Sequence, residues 1–164
     1  MRRLLVLQLI VPIISYSETI FGNLDASSLH KLNVAFNNAA RYVYGLRQYD
    51  HIFSYQDKLL GCHLEPYIKF RNCIFLYKLI HSKTPHYLCE KLIFCKSTRG
   101  NNFIVPLFKY LNSQRCFFAI RLWNALPCKI KEITHMTNFK SAIFDIFKII
   151  TTCYCELIFK FCSF

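Results

Sequence analysis

A length of 164 residues is enough for one hydrophobic core, or for part of a larger one. Hydrophobic residues make up 54% of the chain and charged residues 18%, against ~25% charged in ordinary soluble domains, so the composition excludes a polar globule that hides its apolar surface unaided. With 21 Lys and Arg against 9 Asp and Glu, the net charge of +12 favours polyanions, nucleic acid or acidic lipid, over basic partners. Nine cysteines at irregular spacings, with no Cys-x-x-Cys pair, read as buried free thiols rather than as a disulfide framework. That favours a reducing, intracellular compartment over secretion.

The chain opens with Arg2 and Arg3 before an apolar run from Leu4 to Ile14, followed by Ser15-Tyr16-Ser17. This pattern fits either a secretory signal or a helix that buries one face, and it is too short for a bilayer span of ~20 residues. Ser27 or Ser28 is placed to cap a helix with Leu29, Leu32, Ala35 or Phe36, Ala39 and Val43 on one face, stopped at Gly45. Ser54 is expected to open a short helix closed at Gly61. Pro66 is expected to open a longer one through His81, with Phe70, Cys73, Ile74, Tyr77 and Ile80 facing inward.

Polar residues and glycine cluster from Lys96 to Asn102 into a basic, flexible loop, and Phe103-Ile104-Val105 reads as an extended piece ended by Pro106. Ser113 is placed to cap a helix carrying Phe117, Phe118 and the heptapeptide Arg121-Leu122-Trp123-Asn124-Ala125-Leu126-Pro127. The only tryptophan, beside an asparagine and four residues before a proline stop, is expected to be a buried anchor at a corner. No nucleophile or base accompanies it, so a structural role for Arg121, Trp123, Asn124 and Pro127 outweighs a catalytic one. Thr137 is expected to cap a last helix carrying Phe139, Ile143, Ile146 or Phe147, and Ile150.

The heptapeptide resembles the Arg-Leu-Trp-Asn-x-Leu-Pro element near the C-terminus of jockey-like non-LTR retrotransposon reverse transcriptases. Further likenesses are Val11-Pro12 to Tyr16, Phe21-Gly22-Asn23, the stretch Leu32 to Arg47, Asp50-His51-Ile52, and Tyr77-Lys78-Leu79-Ile80-His81 through Pro85-His86-Tyr87-Leu88. Phe139-Lys140 matches the family's closing Phe-Lys. Leu60-Gly61-Cys62-His63-Leu64 departs from the family's Leu-Gly-Trp-Leu-Pro and lacks its aromatic anchor.

The resemblance runs from about Leu4 to about Ile150 and implies the post-palm region, thumb and following segment, of such an enzyme. Met1 would then fall inside a family helix, and the chain would be a truncated copy. The expected fold is mainly α: an irregular multi-helix fragment with short extended pieces, incomplete without its parent polymerase. It divides into a thumb-like helical segment (1–60), a helical segment holding the heptapeptide (61–150) and an unassigned aromatic and cysteine-rich tail (151–164).

Polymerases hold two divalent metals between converging carboxylates, which the family supplies from an aromatic-Ala-Asp-Asp hairpin. Here no Asp-Asp pair exists; the aspartates are Asp25, Asp50, Asp57 and Asp145, widely separated. The sequence therefore predicts no polymerase activity and no catalytic residue for this chain alone. By resemblance it would help hold template and primer, and Arg41, Arg47, Lys69, Arg71 and Lys78, interleaved with Tyr42, Tyr44 and Phe70, suit phosphate contact and stacking on helices. A solvated basic face over an aromatic core accounts for the same residues and outweighs the binding reading.

His81, His86, Cys89 and Cys95 include only one gap of zinc-ligand length, from His86 to Cys89, so no metal or other cofactor is expected. The expected partners are RNA or DNA, held weakly by charge, and the parent's polymerase domains. Alternatives of other classes are a stand-alone nucleic-acid-binding module and a small secreted cysteine-rich protein.

Overall fold

The structure is a computed structural model that describes residues 1–16, 25–90, 92, 93, 95, 102–105 and 118–161, with the backbone course alone over 149–161. Helices dominate, and no strand occurs among the described residues, so the mainly α expectation holds.

A continuous helical run opens the chain: α1 (Arg2–Leu5), a π turn (Val6–Ile10) and α2 (Val11–Tyr16). In the π turn the Val11 amide bonds back five residues to the Val6 carbonyl, which keeps both valines on the inner face. Val6, Val11 and Ile14 pack with Phe36, Ala39 and Ala40 of α3 (Ala26–Tyr44). Phe36, not Ala35, is the inward residue of α3. Asp25, not Ser27 or Ser28, is its cap: the carboxylate accepts the Ser28 amide at 3.2 Å, because a carboxylate suits the positive end of a helix. Gly45 stops the helix at φ +65°, as the sequence predicts.

Next, α4 (Phe53–Leu60) begins one residue before Ser54 and closes at Gly61, φ +81°. The long helix α5 (Leu64–Ser82) starts at Leu64 behind His63, so Pro66 lies at its third position rather than its first. Pro is tolerated there because the first-turn amides have no intrahelical acceptor. Buried side chains occur on more than one side of α5, as expected of a helix surrounded by others. Leu64 and Ile68 belong to the core with the π turn and α2–α4, while Cys73, Leu76, Tyr77 and Leu79 belong to a second core with Ile120, Trp123, Phe139, Ile143 and Phe147. Asn72, fully buried between them, donates its amide to the Ile68 carbonyl at 2.9 Å.

A short α6 (His86–Cys89) follows the cis Thr84–Pro85 bond. Cys95 and Ile104 donate their amides to the carbonyls of Asn102 (2.9 Å) and Ile93 (2.8 Å), so 102–104 runs beside Ile93 and Cys95. The basic loop's residues 96–101, Pro106, Ser113 and Phe117 lie outside the described residues.

The heptapeptide ends α7 (Phe118–Ala125), and Pro127 opens the single turn α8 (Cys128–Lys131). The last helix, α9 (Met136–Phe161), starts before Thr137, which lies in its first turn instead of capping it. Phe139, Ile143 and Phe147 form its buried stripe. Its backbone continues past Ile150 through most of the tail that the sequence leaves unassigned.

Candidate functional site

The corner at Trp123 lies in the second core. The indole is 2% exposed and packs beside Phe103 and Phe139, with ring centroids 6.3 and 6.0 Å away. Helix α7 points the next residue at the chain segment 102–105. There the Asn124 carboxamide grips one residue from both sides: its oxygen accepts the Phe103 amide at 2.9 Å and its nitrogen donates to the Phe103 carbonyl at 2.8 Å. One side chain thus does what a neighbouring strand would do for that residue. Below it Lys131, 6% exposed, donates from Nζ to Asn102 Oδ1 (2.7 Å) and to the Asn124 carbonyl (3.1 Å). Burial holds this ammonium below the usual lysine range, while the Cys128 sulfur acts in the opposite direction.

On the other flank, Tyr77 stacks on Phe139 at 4.1 Å and directs its hydroxyl at the carbonyls of Thr134 (2.6 Å) and Ile133 (3.0 Å). Arg121 is exposed on the outer side of α7, and Pro127 forms the extended residue before α8. Of the four residues read as a structural anchor, Trp123 is buried, Asn124 bonds to Phe103 and Pro127 precedes α8, whereas Arg121 is exposed. Lys131 and Tyr77 complete the corner, and their partners lie too far along the chain for periodicity to reveal them.

The five basic residues singled out in the sequence have different surroundings, and three of them, Lys69, Arg71 and Lys78, share α5. Arg41, half-buried on α3, has its Nε enclosed by protein. Arg47 is exposed but lies beyond Gly45, off the helix on which the sequence places it, where its amide donates to Asp50 Oδ2 at 2.7 Å. Lys69 is paired with Glu65 one turn earlier at 2.6 Å. Arg71 lines a cleft with Leu7, Val11, Pro12, Tyr16 and Tyr67, and Lys78, seven residues on, is exposed. Of the interleaved aromatics, Tyr44 packs on Tyr55 and Phe70 on Phe144, which leaves Tyr42 as the one with an exposed ring.

The carboxylates have local duties: Asp25 caps α3, Asp50 closes a turn and Asp57 faces His63 Nε2 at 3.8 Å. Among the described residues no three metal-ligating side chains converge. His86 faces Glu90 at 2.9 Å, His81 stacks on Tyr77, and Cys89 points at the Leu79 carbonyl.

Next to Gly61 and Cys62, a chain of polar side chains links α3, α4 and His63. Gln56 donates its amide to Asn37, leaving its oxygen to accept from His63 Nδ1 at 2.5 Å, while Phe53 lies against the imidazole at 3.7 Å. Burial depresses the His63 pKa, and Asp57 opposes that shift.

Comparisons of the chain with known protein families, with curated proteins and with solved structures find no match.

Proposed function

We propose that the chain derives from the post-palm, C-terminal region of a jockey-like non-LTR reverse transcriptase, and that it serves as a helical support element without polymerase activity of its own. The observation that carries this reading is the agreement between motif and architecture. The residues bearing the resemblance, Arg121 to Pro127, include the buried Trp123, the Asn124 clamp on Phe103 and the proline that opens α8. A sequence element kept for packing would be expected to fall at such a corner. In the parent enzyme the surrounding helices would support template and primer through charge, with Arg47 and Lys78 exposed.

The same exposed cations favour, as a second reading, a stand-alone module that binds nucleic acid by electrostatics. Fluorescence anisotropy of a labelled duplex across a salt series tests nucleic-acid contact, which both readings require. Affinity should fall steeply with salt, and Lys78→Gln should reduce the slope of log K against log salt by about one. Salt-insensitive or absent binding rejects that contact. Reading the genomic DNA upstream of the Met1 codon separates the two: an aromatic-Ala-Asp-Asp hairpin there supports the polymerase origin, and a discrete promoter with no polymerase remnant supports the module.

A further inference from the structure

The helical run from Arg2 to Tyr16 is apolar on both faces. Val6, Val11 and Ile14 are buried against α3, yet Leu4, Leu5, Leu9, Ile10 and Ile13 are exposed, Leu9 at 60% and Ile13 at 71%. Leu5, Leu9 and Ile13 recur every four residues and form one outer stripe. No acidic residue occurs in residues 1–16. At one end of the stripe stand Arg2, whose guanidinium lies 5.3 Å from the centre of the exposed Tyr42 ring, and Arg3, which donates to the Lys58 carbonyl at 3.3 Å. At the other end Tyr16, 93% exposed, borders the cleft of about 420 Å³ that Arg71 lines.

The chemistry of this face selects its partner. An aliphatic stripe offers neither a π face for bases nor a donor for phosphates, so nucleic acid gains little from it. Pairing with a second copy would bring two chains of +12 together. An anionic bilayer meets both halves of the pattern, with acyl chains for the stripe and headgroups for the guanidinium groups. We infer that the outer face of residues 2–16 docks in the plane of an anionic phospholipid membrane. Leu5, Leu9 and Ile13 lie at the acyl boundary, with Arg2, Arg3, Tyr16 and Tyr42 at headgroup level. Among the described residues no helix is long and apolar enough to cross a membrane, so the contact is interfacial. Asp57, the acidic neighbour of Lys58, faces His63.

Co-sedimentation of the full chain with phosphatidylcholine vesicles, with and without phosphatidylserine, tests this. The chain should partition onto the phosphatidylserine vesicles, less onto phosphatidylcholine alone, and less again at high salt. Leu9→Ser and Ile13→Ser should each lower the partition constant roughly tenfold, and Arg2→Gln roughly fivefold. Both aliphatic positions are exposed, so an unchanged far-ultraviolet circular dichroism spectrum and thermal transition should accompany each variant. Three results overturn the inference: no preference for anionic vesicles, unchanged partitioning of Leu9→Ser, or a vesicle-independent dimer that Leu9→Ser dissolves. The inference is independent of the polymerase origin and stands or falls without it.

Discussion

Replacing Asn124 with alanine removes both hydrogen bonds that hold Phe103 to α7. Each is worth about 1 kcal/mol net, and leaving the amide and carbonyl of a half-buried grip without those partners adds about 1 kcal/mol more, for a total near 3 kcal/mol. The assay is built into the chain, since Trp123 is the only tryptophan and sits beside Phe103 in the core, so its emission follows unfolding there. With a urea m-value of about 2 kcal/mol/M for a chain of this size, the midpoint should fall by about 1.5 M. Asn124→Asp should cost at least as much. It keeps an acceptor for the Phe103 amide but loses the donor and sets a carboxylate against the Phe103 carbonyl. Amide exchange at Phe103 should accelerate in both variants. A midpoint shift below about 0.3 M for Asn124→Ala, at unchanged m, would show that the clamp contributes nothing and that the corner is held by Trp123 packing alone.

Gly61 and Gly45 make a matched pair, since both have positive φ, but a Cβ at Gly61 would meet the Phe144 ring at 2.9 Å whereas one at Gly45 meets nothing within 4 Å. Gly45→Ala should therefore cost about 1 kcal/mol and Gly61→Ala about 2–3 kcal/mol in thermal melts; equal losses would contradict the close approach. For His63, whose folded pKa is depressed below the usual 6.5, the unfolded chain takes up the proton first. Stability is thus full above that value and declines as pH falls through it toward the folded pKa. His63→Asn should flatten this slope in denaturation midpoints compared between neutral and mildly acidic pH, and an unaltered slope would place the titrating group elsewhere. Burial pushes the Cys62 thiol up to about 11 and the Cys73 thiol up to about 12, while Cys128 is exposed. Near neutral pH a thiol reagent should label Cys128 in the native chain and reach Cys62 and Cys73 only on unfolding; rapid native labelling of Cys73 would refute its placement.

Helix ends marked by glycine were readable from the sequence. Gly45 and Gly61 sit where only a left-handed residue closes a helix cheaply, and that requirement is local. The inward stripe of α9 was readable through Phe139 and Ile143 at helical spacing, whereas on α5 the spacing gave Cys73, Ile74 and Tyr77 but not Leu64, Ile68, Leu76 or Leu79, because that helix is buried on more than one side. Helix starts were not readable. Helices α4 and α5 begin without a side-chain cap, and α9 begins one residue before Thr137, so the preferences that Ser54, Pro66 and Thr137 obey did not mark the starts. The heptapeptide announced an anchor, but not that Asn124 would grip a residue 21 positions away, or that Lys131 would sit beneath it. For the basic residues, composition gives the sign of the field and not its direction. The pairing of Lys69 with Glu65 is legible as an i, i+4 contact, whereas the cleft beside Arg71 depends on how residues 7–16 fold back.

Helix α5 is a member of both cores, and at 19 residues it is a rod about 28 Å long. A rod seated in two sockets behaves as a lever. A tilt of about 5° imposed where Leu64 and Ile68 meet the first core would carry its far end, beside the Trp123 corner, through roughly 2 Å. A load on residues 2–16 that tilted α5 in this way would move Tyr77 against its carbonyl partners at Ile133 and Thr134.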